Sequence, residues 1–217
     1  MSSPGAFDLT PELLLHAYAS GIFPMAESAD APDLFWLDPQ QRGILPLDGF
    51  HLSRSLTRRM KKGGYTTAIN HDFATAVSTC AARDETWINP ELFDLYLHLN
   101  AMGFAHSFEI RGPDGLWGAV FGIVLGGAFI GESMVSLRTD GSKIALAHLC
   151  DHLRRAGFIL FDTQFITPHL ASLGAVEISR ANYRSRLHEA LSREREFLET
   201  PLETDPHSVI QRITQTS

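Results

Sequence analysis

The stretch Leu116-Trp-Gly-Ala-Val-Phe-Gly-Ile-Val-Leu-Gly-Gly-Ala-Phe-Ile-Gly131 decides how the chain is read, because it runs for sixteen residues without a charge. Gly118, Gly122 and Gly126 repeat the small-xxx-small spacing of packed membrane helices. A spanning helix, however, needs roughly 20 apolar residues. The five glycines in this stretch would each weaken a helix by about 1 kcal/mol. Two strands joined at Gly126-Gly127 explain the same residues better, since a Gly-Gly pair supplies the positive φ of a tight hairpin. The stretch therefore predicts strands at Leu116–Leu125 and Ala128–Val135, and no membrane partner.

Working outward, Gly112-Pro-Asp-Gly115 is a turn signal, and Ser107–Arg111 before it reads as a further strand of an antiparallel meander. On the other side, Ser142 is placed to cap a helix through Ala156 that Gly157 closes. Phe158–Ile166 is an apolar run of strand length. Thr167 and Pro168 start a short helix ending at Gly174, Ala175–Ile178 is a strand, and Ser179 opens another helix. Upstream, Asn89 and Pro90 are N-cap and first residue of a helix whose Leu92, Leu95, Tyr96 and Leu99 follow the 3.6 period. Thr10 and Pro11 start a shorter helix stopped by Gly21, and the segment to Pro46 is irregular and rich in Pro, Asp and aromatic residues. The expected organisation is a small N-terminal subdomain over 1–40, a main α+β domain over 41–192, and a frayed tail over 193–217.

Composition narrows the function. The chain has 217 residues, 44% hydrophobic and 20% charged, enough to bury a sizeable core. Its formal charge of −7 should repel a polyanion, so nucleic-acid binding requires a local patch. One exists: His51–Lys62 carries Arg54, Arg58, Arg59, Lys61 and Lys62 without an acid. Cys80 and Cys150 offer neither a disulfide framework nor paired zinc spacing, and the first residues lack the pattern of a secretory signal. A cytoplasmic location is expected.

Three places carry candidate chemistry. Asp162 and Gln164 alternate onto one face of a strand in an apolar run, about 7 Å apart, so the carboxylate needs partners or a cleft. Glu132 sits in a second apolar strand beside Gly131, which lets a ligand approach the backbone; a salt bridge to Lys143 or Arg138 is its structural alternative. His148 and His152 have helical i, i+4 spacing, but nothing completes a zinc site, so no metal and no cofactor are expected. Neither a nucleophile elbow nor a cysteine signature is present.

Taken in order, Tyr18 with Gly21-Ile-Phe-Pro24, Phe35-Trp36, His51-Leu-Ser-Arg-Ser55, Thr86-Trp-Ile88, Ala105-His-Ser107, Gly131-Glu-Ser-Met134, Ser142-Lys143, Phe161-Asp-Thr-Gln164 and His169-Leu-Ala-Ser-Leu-Gly-Ala175 resemble the leucyl/phenylalanyl-tRNA–protein transferases. The resemblance covers about residues 10 to 190. It implies a GNAT-like acyltransferase domain behind a small N-terminal subdomain. The implied activity is transfer of Leu or Phe, with Met as a further donor, from aminoacyl-tRNA to the α-amine of proteins with N-terminal Arg or Lys, in N-degron protein degradation. By the same resemblance, Val120, Phe129, Gly131, Met134 and Phe161 form the aminoacyl pocket, Trp87 and Glu132 line the cleft, and Asp162 with Gln164 act at the reacting centre. Tyr18 and Trp36 join the basic run as tRNA contacts, and a monomer is expected. Met25 stands where the family often has Trp, and Val135-Ser-Leu-Arg138 replaces a usual Phe-Ser-Arg.

Two rival readings stay open in the sequence. Arg138-Thr-Asp-Gly-Ser-Lys143 leads into a helix as an acyl-CoA pyrophosphate loop would, although Lys143 occupies a place that suits a small residue. The basic run alone would also serve a non-catalytic tRNA-binding module.

Overall fold

A computed structural model describes residues 9–28, 31, 34–83 and 86–215. The first eight residues of the expected subdomain and the last two of the expected tail lie outside this description. The charge-free stretch is a β-hairpin: β6 (Gly115–Leu125) pairs antiparallel with β7 (Ala128–Ser136), and Leu125 faces Ala128 at the turn. Gly126 there has φ 54°, and a Cβ on it would come within 2.7 Å of the Ala190 carbonyl, so conformation and space both require glycine. None of the described helices is long and apolar enough to cross a membrane.

Around the hairpin the described strands form a seven-stranded sheet. β4 (Thr66–Ile69) and β5 (Ala105–Gly112) extend it antiparallel on one side. On the other side α5 (Gly141–Arg155) crosses over to β8 (Leu160–Gln164), which pairs parallel with β7, as a helical crossover dictates. Antiparallel β3 (Gln41–Ile44) and then β9 (Val176–Ser179) finish the sheet. A separate ribbon pairs β1 (Phe23–Ala26) with β2 (Leu34–Leu37).

Alternation along the hairpin divides the interior in two. Val120, Val124 and Phe129 point to the layer that holds α5, while Phe121, Ile123 and Ile130 point to the layer that holds α1 (Pro11–Ala19), α3 (Phe73–Ala81) and α4 (Pro90–Ala101). α1 and α4 begin as their sequences predict: Thr10 and Asn89 accept backbone N–H groups of Leu13 and Leu92, each followed by proline. α5 departs from expectation by starting at Gly141, with Asp140 at the N-cap in a left-handed conformation (φ 64°). Gly141 packs straight onto β6, where a Cβ on Gly118 would lie 2.4 Å from the Gly141 carbonyl carbon.

The expected frayed tail is corrected. Asp205 accepts N–H groups of His207 and Ser208 to start α8 (Pro206–Thr214), whose Val209, Ile210 and Ile213 are buried. The physical cause lies in α5, which is buried on nearly every side and holds a carboxylate, Asp151, that needs a partner where α8 covers it. From α8, Arg212 reaches Asp151 on α5 through two hydrogen bonds of 2.6 and 2.8 Å. Short α6 (Pro168–Ser172) and α7 (Arg180–Leu191) flank β9.

Candidate active site

A cavity of about 170 Å³ opens beside the β6–β7–β8 region. It is lined by apolar Val120, Met134, Leu146, Phe161 and Leu170, which belong to one packed cluster, and by polar Arg83, Glu132, Ser133 and Thr163, with Trp87 and Gly131 completing the wall. Val120 and Met134 share the wall because they face each other in register. Gly131 leaves room for Phe161, whose Cε2 would lie 2.9 Å from a Cβ there.

Four consecutive residues of β7, Gly131 to Met134, line the cavity, which regular alternation forbids. The pairing explains it: Gly122 faces Gly131 but Phe121 faces Ser133, so Glu132 is the extra residue of a β-bulge. The bulge re-aims the Glu132 carboxylate, which is a signal the residue pattern alone does not display. Glu132 Oε2 accepts the Tyr96 hydroxyl at 2.7 Å, and Oε1 accepts the Gln164 carboxamide at 3.2 Å. Burial pushes Glu132 up to about 7, against the opposing pull of the Tyr96 and Tyr18 hydroxyls; the charge of Asp162 adds to the rise. Burial likewise holds Tyr96 and Tyr18 well above the usual phenol range, so both stay protonated and able to donate. Neither Lys143 nor Arg138 pairs with Glu132; Lys143 binds Asp140, and Arg138 binds Asp114.

Asp162 stands one layer back from the expected cleft. It is fully buried and its oxygens receive four donors: Arg42 Nε (2.9 Å) and Nη2 (2.6 Å), the Tyr183 hydroxyl (2.7 Å) and the backbone N–H of Gln164 (2.8 Å). Removing one partner of a buried pair like Arg42–Asp162 costs about 3–5 kcal/mol. Strand alternation accounts for the displacement, because the face shared by Asp162 is opposite to that of Phe161 and Thr163, and the cavity takes the latter. Gln164 is also off the wall and reaches it only through Glu132. Its φ of 62° takes it out of the strand's alternation.

Val120, Gly131, Glu132, Met134, Phe161 and Trp87 line the cavity. Phe129 does not; it lies beneath, edge-on to Phe161 at 5.1 Å between ring centroids. Tyr18, expected as a tRNA contact, is only 1% exposed and lies behind Glu132. Trp36 is 44% exposed on β2. The basic run folds into α2 (Arg54–Lys62), which buries Leu56 and Met60 and exposes Arg54, Arg58, Lys61 and Lys62. Arg59 lies over the Trp117 ring at 4.9 Å and donates to the Gly63 carbonyl. His148 bonds Tyr65 and His152 bonds the Phe197 carbonyl, so the pair serves packing, and no group among the described residues could hold a metal ion.

Arg83, Ser133, Leu146, Thr163 and Leu170 on the wall, and Tyr96, Arg42 and Tyr183 behind it, are not among the residues expected from sequence. Only Thr163 has a usable signal, as the partner of Phe161 in alternation. At the α5 start, the Gly141 N–H bonds the Arg138 carbonyl and the Ser142 N–H bonds Ser136 Oγ. Those amides are therefore occupied where a pyrophosphate would need them free.

The chain matches two family models, "Leucyl/phenylalanyl-tRNA protein transferase" over residues 44–188 and the corresponding N-terminal domain over residues 7–40. A protein of Cereibacter sphaeroides named leucyl/phenylalanyl-tRNA–protein transferase is 61% identical over 96% of this chain and 98% of its own. One of the same name from Ruegeria pomeroyi is 60% identical over 96% of this chain and 99% of its own. Among solved structures, FemX shares the fold with a TM-score of 0.51 at 11% identity, over 79% of this chain and 68% of that one. With both models matched in order along the sequence and relatives alike from end to end, the chain belongs to the leucyl/phenylalanyl-tRNA–protein transferase family.

Proposed function

We propose that the protein transfers Leu or Phe from aminoacyl-tRNA to the α-amine of proteins that begin with Arg or Lys. The observation that carries this reading is one cavity lined both by a packed apolar cluster and by an acid at the edge of ionisation. Val120, Met134, Leu146, Phe161 and Leu170 suit a Leu or Phe side chain, and Trp87 offers a ring beside them for the terminal adenosine. The mostly antiparallel sheet with its one helical crossover supports a GNAT-like acyltransferase frame.

The reaction is aminolysis of an ester: the amine nitrogen bonds the acyl carbon, the bond to the ribose oxygen breaks, and the freed hydroxyl regains a proton. The donor is already activated, so placement and an unprotonated amine are the main requirements. An α-ammonium ion has a pKa of about 7.7–8.0. Glu132, at about 7, is close enough to take that proton at little cost. Glu132 is thus the acid that meets the amine, in place of Asp162, and Gln164 orients it. The exposed cations of α2 hold tRNA phosphates.

The test is transfer of labelled Leu or Phe from charged tRNA to peptides that differ only in their first residue. Label is expected on peptides beginning with Arg or Lys. Retained tRNA binding with no labelled peptide of any kind would leave only a tRNA-binding module and overturn the reading.

A further inference from the structure

Arg42 is the second residue of β3 and is 2% exposed. Its Nε and Nη2 grip both oxygens of Asp162, and its Nη1 donates to the Gly21 carbonyl at 3.2 Å. The guanidinium is also sandwiched between Phe23 (4.4 Å to the ring centroid) and Tyr183 (4.5 Å). Flat stacking and a bidentate fork together leave it one orientation. Four segments meet on this one group: the turn after α1, β1, β8 and α7.

What this orientation controls lies two residues past Asp162. Asp162 Oδ1, shared with Arg42 Nε, also accepts the N–H of Gln164 at 2.8 Å, the i to i+2 bond of an Asx turn. Gln164 has φ 62°, a conformation that non-glycine residues rarely take without such support. From that backbone its carboxamide points to Glu132 Oε1. An extended backbone would restore the alternation of β8 and carry the carboxamide elsewhere.

We infer that Arg42 is a positioning residue for the transfer: by clamping Asp162 it holds Gln164 in its left-handed conformation and so sets the direction of the Gln164 carboxamide against Glu132. The inference rests on the transferase reading above. It assigns to Arg42 no contact with either substrate, so its effect belongs on the rate of the bound complex and not on tRNA binding.

The test is Arg42→Lys, which keeps the charge but loses the fork and the flat stacking surface. Single-turnover transfer at saturating charged tRNA, KM, tRNA affinity and melting temperature are measured on the folded variant. A rate lower by roughly 10²-fold with KM and tRNA affinity unchanged is expected. A wild-type rate, or a loss confined to KM, overturns the inference. If Arg42→Lys does not fold, Phe23→Leu decides, since it leaves the fork on Asp162 available and takes away one of the two rings that fix the orientation of the guanidinium. A several-fold lower rate at constant KM is expected there, and a wild-type rate overturns the inference. Wild-type protein that moves no amino acid from charged tRNA defeats the transferase reading itself, whereas an active wild type beside an equally active Arg42→Lys defeats only the role of Arg42.

Discussion

The Tyr96 hydroxyl on α4 donates to Glu132 Oε2 on the β7 bulge at 2.7 Å, so a buried helix residue fixes one oxygen of a carboxylate that lines the cavity. That hydrogen bond favours the charged form, and burial favours the neutral one. Burial prevails, which places the ionisation of Glu132 at about 7.

This gives the first prediction. The folded-state pKa of Glu132 is raised from 4.5 to about 7, so the folded protein holds the extra proton across that window. The stability Glu132 contributes is fully present below pH 4.5 and is lost as pH rises through about 7. His148 runs the other way: burial lowers it from 6.5 to about 4, so its contribution is present above 6.5 and lost as pH falls through 4. Subtracting wild type from Glu132→Gln isolates the first effect. Denaturant unfolding of Glu132→Gln should show it gaining about 3 kcal/mol on wild type between pH 4.5 and 8. A difference that does not vary with pH would contradict the assigned ionisation. Tyr96→Phe, which removes a bond to the carboxylate, should move the alkaline rise of the transfer rate to higher pH.

A second prediction concerns α2. Arg58, Lys61 and Lys62 are exposed and lie on a helix whose Leu56 and Met60 face inward, so their removal leaves the core intact. The triple alanine variant should bind tRNA more weakly and flatten the plot of log affinity against log salt by about 0.7–0.9 for each phosphate it no longer neutralises. Transfer at saturating tRNA should persist. An unchanged salt slope would clear this face of any role in holding tRNA.

The hairpin and the capped helices are legible in the sequence because their signals are local. A charge-free run broken by Gly126-Gly127 and the Asn89-Pro90 pair each settle their own conformation within a few residues. The site is legible only in part. Asp162 announces itself as a carboxylate in an apolar strand, but the partner that satisfies it, Arg42, is 120 residues away, and no spacing rule connects them. The bulge at Glu132 depends on register with β6, which a single strand does not reveal. The C-terminal helix escapes a local reading for a similar reason. Asp205-Pro206 is an ordinary start signal, but the need for α8 arises from α5, whose buried Asp151 finds its partner Arg212 there.

That dependence supplies a third prediction. Asp151 is 2% exposed and holds Arg212 through both oxygens. Arg212→Ala leaves this buried carboxylate with Arg155, 4.0 Å away, as its remaining ion pair on α5, and such a loss costs up to about 3–5 kcal/mol. A thermal melt should show a clearly lowered midpoint, and hydrogen exchange should rise in α8 before the sheet. Replacing both partners, as Asp151→Asn with Arg212→Met, should recover part of the loss. A single variant as stable as wild type would remove α8 from the cooperative core.

The last prediction concerns donor choice. Val120 faces Met134 in register and lines a cavity of about 170 Å³ together with Phe161 and Leu146. Val120→Phe pushes a ring into that space, and a bulky aminoacyl group loses more than a smaller one. Pocket walls discriminate such changes by roughly 10- to 200-fold, while overpacking costs the fold about 1–3 kcal/mol. Competition between Leu-tRNA and Phe-tRNA measures the ratio directly, free of differences in the amount of folded enzyme. The ratio should shift toward Leu by about tenfold or more, with tRNA affinity unchanged because α2 lies apart from this wall. Equal losses for the two donors would show that the side chain of the donor rests elsewhere, since a ring at 120 cannot enter the cavity beside Phe161 and Leu146 without reaching whatever occupies it.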